Sequence, residues 1–175
     1  KRQRRDAKVI NFGVLYGMSP HGLSAATGMN FVEAKKFIDH YFELRAPIRA
    51  YIDATLEKAK TEGYVETYYG RRRPTPDVNS SNFMVREGAK RQAANMPIQG
   101  TEADLMKLAM IQVEKKLEGL GEQILQVHDS ILVECPKENG EKIAEILRQT
   151  MESIAPELPI KLKVDVGIGE DWGEL

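Results

Sequence analysis

Arg4, Lys8, Phe12 and Tyr16 repeat at intervals of four near the start of the chain. On a helix, a four-residue step at about 100° per residue overshoots one turn by only about 40°. The four side chains therefore form one slowly winding stripe, about 18 Å long at ~1.5 Å rise per residue. Two cations lead it and two aromatics follow. Arg forks onto phosphate oxygens, and Lys neutralises them as a point charge. Phe and Tyr offer flat faces to a sugar or base. A nucleoside triphosphate has its parts in the same order, so the chemistry that suits this stripe is triphosphate binding.

Gly13 and Gly17 lie on either side of Tyr16 and leave backbone bare there, so a ligand can come close. Gly13 weakens the helix by up to ~1 kcal/mol relative to Ala, which suggests that a close contact needs it. Cations at a helix N-terminus meet the positive end of the macrodipole, and an anionic ligand would remove that conflict. The competing interpretation is a solvated basic helix start followed by core aromatics.

A second candidate is His128-Asp129-Ser130, set between the apolar runs 123–127 and 131–135. This is a hairpin signal with a three-residue tip. A carboxylate on such a tip is held rigidly with its oxygens free, as a Mg²⁺ site requires. The same three residues also make a good turn with no further role. Arg71-Arg72-Arg73 follows Gly70. It reads equally as a solvated turn or as a contact to DNA phosphates.

The elements that must position these residues follow from pattern. Ser19-Pro20 caps a short helix that stops at Gly28. Asn30 with Glu33 resembles a capping box, ahead of a helix with Phe31, Ala34, Phe37, Ile38, Tyr41 and Leu44 on its apolar face. Pro47 breaks that helix and starts the next, which stops at Gly63. Residues 64–69 read as a strand, with a basic turn and short return after Gly70. A helix runs from residue 82 to about Asn95, Pro97 and Gly100 interrupt it, and Thr101 caps a long helix to Gly119. That helix points Leu105, Leu108, Ala109, Val113 and Leu117 inward. Residues 137–154 form an amphipathic helix, and 160–168 alternate as a last strand. The pattern is α+β: helices dominate the first half, and an antiparallel sheet gathers in the second.

Composition sets wider bounds. The chain has 175 residues, of which 42% are hydrophobic and 29% charged, as in a soluble globular chain with one core or two small ones. No apolar run is long enough for a bilayer, so no membrane role is expected. The single Cys135 excludes an internal disulfide framework and fits a reducing cytoplasm. The net charge of −1 does not announce a nucleic-acid binder, but the cations cluster at residues 1–5, 71–73 and 90–91, and a neutral protein can carry a positive cleft.

R-x-x-x-K-x-x-x-F-G-x-x-Y-G, from Arg4 to Gly17, closely resembles motif B of the family A DNA polymerases. The resemblance implies a fingers helix that grips the incoming dNTP through Arg4, Lys8, Phe12 and Tyr16, with Tyr16 also on the template side. R-Q-A-A-N-M-P-I-Q-G-T-E-A-D, from Arg91 to Asp104, resembles the segment after the fingers. It implies that Arg91, Asn95 and Gln99 contact template and primer. Asn and Gln both donate and accept, which suits minor-groove acceptors shared by all base pairs. Alternatively, Asn95 and Gln99 simply cap helix ends near Pro97.

Q-V-H-D-S-I-L-V-E, from Gln126 to Glu134, resembles motif C, which implies that Asp129 binds catalytic metal and that His128 lies near the primer terminus. The family pattern continues His-Asp-Glu; Ser130 replaces that second carboxylate here. V-D-V-G-I-G-E-D-W resembles the C-terminal strand and tail. The partner Asp of the family lies in motif A, upstream of motif B, and no such stretch occurs in these residues.

The expectation is the C-terminal part of a template-directed DNA polymerase. Residues 1–80 form a fingers portion and 81–175 the C-terminal part of the palm. Primer-template DNA and dNTPs are the expected partners, with two Mg²⁺ ions in the complete enzyme. Upstream segments carrying motif A and the thumb would complete it, and this chain alone would be inactive. The rivals are a non-catalytic nucleic-acid-binding module and one subunit of a split polymerase.

Overall fold

The computed structural model describes residues 2–175, without the side chains at positions 2, 3, 5, 6 and 9. Of the basic run at 1–5, only Arg4 has a described side chain; the rest of that cluster lies outside the described residues. The chain divides into two compact units, Lys1–Ile98 and Gln99–Leu175.

The first unit opens with helix α1, Arg2–Leu15. Helix α2, Pro20–Thr27, follows, capped by the Ser19 hydroxyl accepting from the Gly22 N–H and closed by Gly28 at φ 80°. Helix α3, Phe31–Glu43, begins in the reciprocal Asn30–Glu33 capping box. These caps satisfy orphan backbone groups from three residues away, which is why sequence alone locates them. Helix α4, Ala46–Thr61, carries Pro47 in its first turn, where the missing N–H has no partner to lose.

Val14, Leu23, Ala34 and Tyr41 form the core joining α1, α2 and α3. Of the apolar face expected on α3, Ala34 and Tyr41 are buried, but Phe31, Phe37 and Leu44 are exposed. Strands β1, Tyr64–Glu66, and β2, Arg72–Pro74, pair antiparallel with Glu66 opposite Arg72. The first is shorter than the expected strand, because Tyr68 and Tyr69 belong to the turn. Ala59, Val65, Val78, Ala93 and Met96 make a second core.

Helix α5, Phe83–Leu117, contains Pro97 inside it. The interruption expected at Pro97 and Gly100 does not occur. Proline there forfeits one ladder bond. Burial of Ala93 and Met96 before it, and of Met106, Ala109 and Val113 after it, holds the helix through that loss.

In the second unit, Val113, Leu117 and Ile143 form the core. Leu108, expected to face inward, is exposed, while Met106 is buried. Strands β3, Glu122–Val127, and β4, Ser130–Glu134, pair antiparallel, with a register shift between Gln123 and Leu125. Helix α6, Gly140–Glu152, buries Ile143, Ala144 and Thr150. The expected strand at 160–168 is absent: these residues join no ladder. Their alternation survives, with Leu162, Val164 and Val166 less exposed than Lys161, Lys163 and Asp165. A strand needs a partner as well as a pattern.

The class is α+β, as the pattern implies, with the expected hairpin β1–β2 in the first unit and the antiparallel pair β3–β4 in the second. No helix among the described residues is long and apolar enough to cross a membrane.

Candidate nucleotide and metal sites

Helix α1 presents its stripe to solvent. Phe12 is 49% exposed and Tyr16 36%, so neither is a core aromatic. Their rings are near-parallel, with centroids 6.4 Å apart and planes 11° from each other. Arg4 and Lys8 are exposed, and neither has an ion-pair partner among the described residues. Val14 anchors the other side of the helix at 1% exposure. A helix that buries one face and presents two exposed cations in line with two near-parallel rings can take an elongated anion with a flat end.

The two glycines do not leave bare backbone. A Cβ on Gly13 would lie 2.4 Å from the Met18 Cε, and one on Gly17 would lie 3.0 Å from the Arg91 Cγ. Residues of this chain fill both spaces, and no ligand is needed to explain either glycine. Gly17 also stands at φ +84°, where a side chain is strained. This turn brings Arg91 and Asn95 to the end of α1. The Asn95 Nδ2 donates to the Tyr16 carbonyl at 3.4 Å.

In the second unit, Val127 opposes Ser130, so the β3–β4 tip has two residues rather than the expected three. His128 takes φ 52°, left-handed and unusual for a residue with a side chain. Three local contacts hold it there. Val127 pairs with Ser130, the Ser130 hydroxyl donates to the Val127 carbonyl at 2.8 Å, and the Gln126 Nε2 donates to the His128 carbonyl. Ser130 and Gln126 are thus turn-holding residues, and a hydroxyl next to a tight tip was the signal for the first. Asp129 is exposed, with no hydrogen bond or ion pair among the described residues. Its carboxylate stands on a hydrogen-bonded tip with no partner among the described residues, which leaves its oxygens open to serve as one donor to a hard cation such as Mg²⁺. No group of three His, Cys, Asp or Glu side chains among the described residues could hold a metal ion. Gln99, the first residue of this unit, is exposed on α5.

The model for DNA polymerase family A matches residues 1–174, and the chain belongs to that family. The thermostable DNA polymerase I of Thermus aquaticus is 51% identical over 170 residues, 97% of this chain and 20% of that protein. DNA polymerase I of Deinococcus radiodurans is 49% identical over 171 residues, 97% of this chain and 18% of that protein. The chain thus spans about a fifth of these relatives. Among solved structures, the POL domain of Pol1 from M. smegmatis, in complex with DNA primer-template and dNTP, matches with a TM-score of 0.91 at 37% identity. That match covers 98% of this chain and 31% of the other. The mixed helical and small-sheet architecture is that of part of a polymerase domain.

Proposed function

We propose that this chain is the fingers portion (1–80) and the C-terminal palm portion (81–175) of a template-directed DNA polymerase that adds dNTPs to a primer 3′-hydroxyl. The observation that carries the reading is the α1 stripe: two exposed cations with no ion-pair partner among the described residues, in line with two near-parallel exposed rings. Arg4 and Lys8 bind the triphosphate, Phe12 packs on the sugar, and Tyr16 takes the base on the template side. Lys8 also neutralises the leaving pyrophosphate and can give it a proton. Arg91, Asn95 and Gln99 contact template and primer, and His128 lies near the primer terminus.

Asp129 would hold Mg²⁺ together with a second carboxylate from outside these residues. Bound in pairs, such ions lower the pKa of the attacking hydroxyl and stabilise the leaving oxygen. Ser130, engaged with the Val127 carbonyl, holds the tip in shape and does not substitute for a carboxylate. Since these residues supply one carboxylate at the positions that match the family's metal-binding motifs, the 175-residue chain assayed alone should not extend a primer.

The test is Lys8→Ala in the complete polymerase. Loss of a cation at a developing pyrophosphate charge lowers the single-turnover incorporation rate by about 10²-fold or more. Primer-template affinity stays within about twofold, because the phosphates that Lys8 serves belong to the nucleotide. A rate within about tenfold of the parent overturns the role of the stripe.

A further inference from the structure

Tyr41 of α3 is 7% exposed, and its hydroxyl donates to the Asn11 Oδ1 of α1 at 2.9 Å. The Arg45 guanidinium stands 4.2 Å over the ring centroid of Tyr41, and the Phe42 ring meets it edge-on at 5.4 Å. A buried tyrosine needs a partner for its hydroxyl, and a side-chain amide supplies one. Asn is a poor choice in a helix interior, costing about 0.5 kcal/mol against Ala. Its presence in the middle of α1 is accounted for by this bond.

The surroundings give the bond a further role. A solvent-open groove of about 320 Å³ adjoins it, lined by Asn11 and Tyr41 themselves together with Ala7, Ile10, Phe37 and Leu44. Among the described residues, Val14 near the C-terminal end of α1 is closely packed, whereas Ala7 and Ile10 nearer its start border the groove. Apolar contacts are non-directional, so the packing that borders an open groove does not by itself fix the rotation of a helix about its axis. The Tyr41–Asn11 hydrogen bond is directional and opposes that rotation. Asn11 immediately precedes Phe12, so holding its carboxamide fixes the azimuth of the stripe one residue away.

We propose that Tyr41 is a positioning residue for nucleotide binding: through Asn11 it sets the rotation of α1, and so the direction in which Arg4, Lys8, Phe12 and Tyr16 face. The proposal rests on the nucleotide-binding function of the stripe. Tyr41 touches no nucleotide; it acts through the helix that does.

The test is a double-mutant cycle in the complete polymerase with Tyr41→Phe, Asn11→Ala and both together. Tyr41→Phe keeps the ring, its packing and the Arg45 contact. Each single variant raises the KM for dNTP about five- to tenfold, the range a net hydrogen bond commands. kcat and primer-template affinity stay within about twofold, and the double variant is no worse than either single. A lowered melting temperature with an unchanged KM overturns the proposal and leaves the bond a structural strut. Additive losses in the double variant also overturn it. Lys8→Ala is measured alongside. If Lys8→Ala is silent, the function of the stripe fails and the proposal falls with it; if Lys8→Ala is defective and Tyr41→Phe is silent, only the positioning role fails.

Discussion

The Asn95 carboxamide donates to the Tyr16 carbonyl at 3.4 Å and ties α5 to the end of α1 across 79 positions of sequence. Its nitrogen is the only part of Asn95 that can do this, since a carbonyl accepts and does not donate. Asn95→Asp replaces the donor with a carboxylate facing that carbonyl. The bond is long and exposed, so the expected loss is about 0.5–1 kcal/mol. It should appear as a fall of about 2–4 °C in the melting midpoint. An unchanged midpoint would mean that Asn95 is held by its helix alone and is free for DNA.

Gly17 sits at φ +84° with the Arg91 side chain across its Cα. Gly17→Ala meets two obstacles, the left-handed backbone and the Arg91 Cγ at 3.0 Å from the new Cβ. The backbone part alone costs about 1–2 kcal/mol. The arginine chain can shift by a few tenths of an ångström, so the second part is smaller. Urea unfolding should show a lower midpoint with an unchanged slope. Arg91→Ala in the Gly17→Ala background should recover only the smaller part, which separates backbone strain from crowding.

The β1–β2 hairpin carries a charge cluster with a defined pH window. Lys58 donates to the Glu66 Oε1, and the Arg72 Nε stands 3.5 Å from the Glu66 Oε2. The hydrogen bond from Lys58 and the two positive charges hold the Glu66 carboxyl below its ordinary value. The same bond to Glu66 raises the Lys58 ammonium. For the depressed carboxyl, stabilisation is present above the unfolded value of about 4.3 and is lost as pH falls through the folded one. For the raised ammonium, it is present below about 10.4 and is lost as pH rises through the folded value. Between those limits the Thr67 amide, which donates to the Arg71 carbonyl at 2.9 Å, should keep a constant chemical shift. Glu66→Gln should abolish the acid limb of that profile. An acid limb that persists in this variant would assign it to another carboxyl.

What could be read from sequence divides by distance along the chain. The caps at Ser19, Asn30–Glu33 and Gly28 are local, each fixed within three or four residues, and all three stand where the pattern puts them. The stripe at Arg4, Lys8, Phe12 and Tyr16 is local too, and its exposure follows from Val14 facing the core. The misses are non-local. Pro97 promises a break, but buried Ala93 and Met96 carry the helix past it. Residues 160–168 alternate correctly and still form no strand, because pattern does not supply a partner. Gly13 and Gly17 announce close approach without saying to what; the answers, Met18 and Arg91, depend on how the chain folds back. Tyr41 and Asn11 lie 30 positions apart, and only an asparagine oddly placed in a helix hints at their pairing.

The β3–β4 tip separates a chemical role from a structural one in adjacent residues. Asp129 is exposed and makes no hydrogen bond or ion pair among the described residues, so Asp129→Ala should leave the stability of its unit within about 0.5 kcal/mol. If it holds metal in the complete polymerase, the same substitution should lower incorporation by about 10³-fold or more while primer-template affinity is kept. Ser130 makes the opposite prediction. Its hydroxyl donates to the Val127 carbonyl at 2.8 Å across a turn in which His128 is strained at φ 52°. Ser130→Ala should therefore cost about 0.5–1.5 kcal/mol in denaturant unfolding and leave incorporation within about threefold of the parent. Measuring both variants in both assays gives a crossed pattern. An active Asp129→Ala would show that the tip is only a turn, and a Ser130→Ala as defective as Asp129→Ala would move Ser130 from holding the hairpin to serving the metal.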